Sequence, residues 1–128
     1  MRRLPYLALA LGTILIGLAT HLLHRSHPTA AGDIAGDALW AMLVVWLVSA
    51  IAPATRFATR GSIAFAIAVA VECSQLYHSP GLDAVRATLL GHLILGSGFD
   101  PRDIVAYAGG VLVAGLIDRT ISTTHDPS

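Results

Sequence analysis

From Leu4 to Leu23 the chain runs twenty residues without an Arg, Lys, Asp or Glu. As a helix rising 1.5 Å per residue, that stretch matches the ~30 Å hydrocarbon core of a bilayer. A 128-residue protein has little interior in which to hide such a helix, because small domains leave much of their surface exposed. Composition extends the argument to the whole chain: 55% of residues are hydrophobic, 12% are charged and mean hydropathy is +0.69. A soluble domain carries roughly 25% charged residues, so the apolar surplus has to face lipid. A signal peptide is the rival reading of the first segment, with residues 28–31 as a cleavage region, but its apolar stretch usually runs only about 7–15 residues.

Three further apolar segments follow. The second runs from Asp37 to about Ala52 and stops at Pro53, a helix terminator. The third runs from Ser62 to about Tyr77, before the turn signal Ser79-Pro80-Gly81. The fourth runs from Asp103 to about Asp118, with Asp100 placed as N-cap and Pro101 at the first turn. Between the third and fourth, Leu82, Val85, Leu89, Leu90 and Leu93 keep a 3-4 spacing that Asp83, Arg86 and His92 interrupt. Such a stretch is a poor span and predicts an interfacial or re-entrant helix over 82–96. The expected architecture is all-α: an integral membrane bundle of four transmembrane helices (4–23, 37–52, 62–77 and 103–118) plus that short helix. It forms one membrane domain over 1–121 with a polar tail at 122–128.

Charge narrows the function classes. Eight Arg, no Lys, seven Asp and a single Glu give a net charge of zero, and nucleic-acid binding calls for a basic surplus instead. Cys73 stands alone, which leaves no internal disulfide and no CxxC pair. His21, His24 and His27 fall at i, i+3 and i+6, with His78 and His92 expected near the same face; histidine is a frequent metal ligand, but HExxH is absent, so these read as interfacial polar residues. Neither a metal nor a cofactor is expected. With the N-terminus inside, Arg2, Arg3, Arg56, Arg60 and Arg119 fall on the cytoplasmic side and Arg25, Arg86 and Arg102 outside. That bias favours both termini in the cytoplasm.

The candidate site comes from polar residues that the bilayer makes expensive. A carboxylate near a helix centre costs roughly 2.5–3.5 kcal/mol on the insertion scale. Glu72, the only Glu, interrupts an apolar run from Ile63, and Gln75 lies one turn on along the same face. In the proposed topology Glu72 and Gln75 sit near the outer end of the third helix. Asp37 opens the second helix, Asp103 and Tyr107 open the fourth, and Arg86 lies in the segment between. The expectation is one membrane face that gathers Asp37, Glu72, Gln75, Arg86, Asp103 and Tyr107. Ala106, Gly110 and Ala114, and Ala66, Ala70 and Ser74, repeat every four residues, a pattern that lets membrane helices approach closely.

Several motifs together resemble a known family: Gly36-Asp37-Ala38-Leu39-Trp40, Glu72-Cys73-Ser74-Gln75-Leu76, Arg86, Leu95 through Asp103, and Tyr107-Ala108-Gly109-Gly110. They are similar to the domain-of-unknown-function 2809 family of small bacterial membrane proteins. The order Glu-x-x-Gln, Arg, then an Asp opening the last helix also resembles the wider VanZ-like group, linked to the cell envelope and glycopeptide resistance. Two features depart from those patterns: Pro101-Arg102 replaces an expected aromatic and polar pair, and Tyr107 stands where VanZ-like proteins often carry Asn. The resemblance brings no reaction with it.

Two functions compete. In the first, the cluster binds or modifies an amphiphilic cell-envelope molecule: Glu72 is the acid or base, Gln75 and Tyr107 orient the ligand, Arg86 meets a phosphate or carboxylate, and Asp37 and Asp103 complete the site. In the second, the same residues form a network that only fixes helix packing, while the lipid-facing surface recruits a second copy or another membrane protein. Membrane lipid is the common partner in both, and the expected location is the inner membrane of a bacterium.

Overall fold

The structure is a computed structural model that describes residues 3–27, 29–95 and 100–125, apart from the side chains of 25, 93–95 and 122–125. Arg2, Pro28, Gly96, residues 97–99 and the last three residues of the expected tail lie outside the described residues. The elements are α1 (Arg3–Ser26), α2 (Ala30–Ile51), α3 (Phe57–Ser74), α4 (Pro80–Arg86), α5 (Leu89–Leu95) and α6 (Pro101–His125). Every regular element among the described residues is helical. Four helices, α1, α2, α3 and α6, are long and apolar enough to cross a bilayer.

Local chemistry explains where the elements depart from expectation. α2 begins at Ala30, about two turns before Asp37. The Thr29 side chain accepts the Gly32 N–H at 3.0 Å, and Asp33 sits in the first turn, where the helix dipole favours an anion. α3 begins at Phe57 rather than Ser62, so Arg60 lies inside the helix instead of flanking it. The segment expected as one helix over 82–96 breaks at Ala87-Thr88. Ser79 caps α4 by accepting the Leu82 N–H, with Pro80 in the first turn, and the Thr88 hydroxyl accepts the Gly91 N–H at the start of α5. Two short helices with separate caps therefore replace one continuous one. α6 continues to His125, through residues expected to be a loose tail.

α2 is the centre of the bundle and packs against α1, α3 and α6, while α3 also packs against α6. α2 and α6 run parallel, with α3 antiparallel to both. The core is built from small and mid-sized residues: Ala41, Val45, Trp46, Ala64, Ala68, Ala106 and Ala114 are all buried. At Gly110 the two parallel helices come so close that a Cβ would be driven into the Ala38 carbonyl. Large apolar side chains point outward instead, among them Leu11, Leu15, Leu47, Ile51, Leu112 and Leu116. Small residues inside and large ones outside is the pattern expected where lipid is the solvent.

Candidate functional site: two polar layers at opposite ends of the bundle

The first layer is acidic. It lies where α2 and α6 begin and α3 ends. Glu72 is completely enclosed. Its Oε2 accepts the Tyr107 hydroxyl at 2.7 Å, and its Oε1 accepts the Asp100 backbone N–H at 2.7 Å. One carboxyl group thus links α3 to α6 and to the residue that caps α6. The positive end of the α6 dipole faces the same place. Asp37 and Asp103, both half-buried, lie close enough to each other and to Glu72 for the three carboxyl groups to interact. Trp40 leans on Tyr107, ring centroids 5.7 Å apart.

Exposed Arg102 and half-buried Asp100 border this layer. Arg102 grips Asp100 with Nη2 at 2.9 Å and Nε at 3.2 Å, and this guanidinium holds the Asp100 carboxyl below the usual carboxylate range. The Asp100 backbone faces inward to Glu72 while its side chain faces outward to Arg102.

Arg86 sits elsewhere. Although buried, it donates to the Ser74 carbonyl at 2.8 Å and the Tyr77 carbonyl at 2.9 Å, with Asp83 at 3.5 Å. Ser74 is the last residue of α3, where helical C=O groups lack intrahelical partners and the dipole favours a cation, and Tyr77 lies in the loop that follows. Among the sequence-predicted site residues, then, the structure brings together Asp37, Glu72, Asp103 and Tyr107. It sets Gln75 at the buried C-cap of α3 and engages Arg86 with the backbone below it.

The second layer lies at the other end and was not singled out from sequence. Arg60 and Asp118 form a buried ion pair, with Nη1 3.2 Å from Oδ1 and Nη2 3.3 Å from Oδ2. Arg60 also donates to Ser49 Oγ and to the Thr55 carbonyl, both at 2.8 Å. The Tyr6 hydroxyl donates to Asp118 at 2.6 Å. The Arg60 guanidinium lies over both the Tyr6 and Phe57 rings. All four long helices contribute to this layer. The available signal was the pairing of opposite charges at matched depth: Arg60 near the start of the third segment and Asp118 at the end of the fourth.

At the acidic end α1 is tied to α2 by His24 Nε2 and Asp33, 2.8 Å apart. His21 lies beside His92, ring centroids 6.5 Å apart. Among the described residues no group of three His, Cys, Asp or Glu side chains has the geometry to hold a metal ion.

No solved structure matches the chain. The sequence model of the family described as "Protein of unknown function (DUF2809)" matches residues 26–111, which take in α2 through the first half of the apolar span of α6 and every residue of the acidic layer. The chain therefore belongs to this family of proteins of unknown function.

Proposed function

We propose that the protein is an integral protein of a bacterial inner membrane, both termini cytoplasmic, whose acidic layer engages the polar head of a cell-envelope amphiphile. The observation that carries this reading is the trio Asp37, Glu72 and Asp103, in which two half-buried carboxyl groups stand beside an enclosed one. Among the described residues no guanidinium hydrogen-bonds to any of them, since Arg86 serves the Ser74 and Tyr77 carbonyls and Arg102 serves Asp100. The arrangement favours a head group that brings hydrogen-bond donors or positive charge, such as an amine. Glu72 forms the floor, Tyr107 holds it in orientation, and Asp37 and Asp103 form the reachable rim. Binding needs only this shape. Chemistry on the ligand would need Glu72 to exchange a proton with it. The resemblance to VanZ-like proteins adds the link to the envelope.

Mass spectrometry of lipids retained by the mildly purified protein tests the reading. Wild type should enrich one amphiphile that Asp37→Asn and Asp103→Asn variants lose at unchanged helicity and yield. Retention of bulk lipid alone by all three proteins would count against it. Full biological activity in Glu72→Gln would remove proton chemistry and leave binding in place.

A second reading has its own observation. The Glu72 carboxylate is fully enclosed and both its oxygens are engaged, as in a network that fixes helix packing. On that reading Asp37→Asn, Glu72→Gln and Asp103→Asn all lower abundance and thermal stability together, and no variant loses a ligand while staying folded.

A further inference from the structure

α1 and α6 both pack against α2, and between them lies an apolar groove of about 300 Å³. Its walls are Ala8, Leu9, Gly12, Thr13 and Ile16 of α1, Leu39, Met42 and Trp46 of α2, and Ile117 of α6. At one end the Tyr6–Asp118 hydrogen bond joins α1 to α6. The groove otherwise lies on the outer side of helices that face lipid, next to exposed Leu11, Leu15 and Ile16.

Two observations distinguish it from an ordinary gap between helices. Trp46 is fully buried, yet its indole Nε1–H has no acceptor among the described residues. A polar hydrogen left without an acceptor is costly where no water is present to take it. In addition, a Cβ added at Gly12 meets no atom within 4 Å. α1 therefore keeps a side chain out of this space although no neighbouring helix requires it.

We propose that the groove is a binding site for one acyl chain of a membrane phospholipid, whose ester carbonyl accepts the Trp46 indole N–H. The Trp46 position lies about one turn of α2 below Ser49 and the polar Arg60–Asp118 layer. A phospholipid changes from hydrocarbon to ester oxygens near such a boundary. Leu9 and Met42, both half-buried, line the groove together with Trp46, and an unbranched thioether side chain such as Met42 repacks readily to admit a carbonyl to the enclosed indole. Thr13 donates its hydroxyl to the Leu9 carbonyl, so it presents no competing donor to the chain. The site shares no residue with the acidic layer and stands or falls separately from the function proposed above.

The chain has two tryptophans, so Trp40→Phe leaves Trp46 as the single emitter. The experiment reconstitutes the full-length Trp40→Phe protein in phosphatidylcholine vesicles with and without brominated acyl chains. With an acyl chain in the groove, bromination lowers Trp46 emission at least twofold although the residue is buried. Gly12→Leu, whose Cβ enters open space and whose branch occupies the groove, restores most of that emission; Ala8→Phe does the same from a second position. Circular dichroism confirms that helicity is unchanged in both. Weak quenching in the Trp40→Phe protein overturns the proposal, as does strong quenching that neither groove-filling variant relieves. The latter result would identify bulk lipid as the quencher.

Discussion

Arg60 meets Asp118 with both terminal guanidinium nitrogens, across 58 positions of sequence and inside the bundle, where each residue is only 4% exposed. Removing one partner leaves the other charge buried and uncompensated, a loss of about 3–5 kcal/mol for pairs of this kind. Asp118→Ala should therefore destabilise the protein strongly in denaturant titrations from detergent. The double replacement Arg60→Met with Asp118→Leu should lose less than the two single changes added together, because it removes both charges at once. Additive losses would mean that the pair contributes nothing as a pair.

Gly110 and Gly109 are neighbours with opposite surroundings. A Cβ at Gly110 runs into the Ala38 backbone, whereas one at Gly109 meets nothing within 4 Å. Gly110→Ala should destabilise by about 1–3 kcal/mol, the usual range for overpacking. Gly109→Ala should be neutral or slightly stabilising, since alanine is the better helix former. Thermal melts of the two variants side by side check this, and equal melting temperatures would refute the close contact of α2 with α6.

Tyr107→Phe removes one donor to Glu72 and keeps the ring against Trp40. Membrane hydrogen bonds average about 0.6 kcal/mol and reach about 2, so the loss should be modest. Glu72→Ala should be worse, because it strands both the Tyr107 hydroxyl and the Asp100 N–H. That order, read from denaturation midpoints, would reverse if Glu72 were merely a tolerated burden in the bundle.

Asp100 offers a titration outside the spans. Its carboxyl is held low by Arg102, so its contribution to stability is present above the unfolded-state value of about 3.9 and is lost as pH falls through the folded value. Arg102→Ala should raise the Asp100 pKa toward that ordinary value, as followed by carboxyl carbon NMR. An unchanged titration would mean that the pair seen at 2.9 Å does not persist in solution.

Much of the acidic layer was legible because the bilayer makes each carboxylate conspicuous. Asp37, Glu72 and Asp103 interrupt or open apolar runs, and alternating helix direction brings such positions to one end. Arg86 was harder to read. Sequence shows a cation near a turn, but the choice between a ligand and the free carbonyls of a helix end depends on how α4 folds back on α3. The Arg60–Asp118 pair was hidden for a different reason. A charge near the end of an apolar segment looks like an interfacial anchor until a partner at the same depth is known, and Asp118 falls at the last residue of the segment read as the fourth span. The division of 82–96 into two helices rests on Thr88, whose short hydroxyl caps α5 in a stretch where leucine spacing alone suggests continuity.

Between its two polar layers the bundle interior is made of Ala41, Val45, Ala64, Ala68 and Ala114. From Arg60 to Glu72 the rise along α3 is about 18 Å. That middle section is electrically an insulator. Among the described residues no ionisable side chain is buried along it, so a charge held at either end is separated from the other layer by the full height of this apolar section.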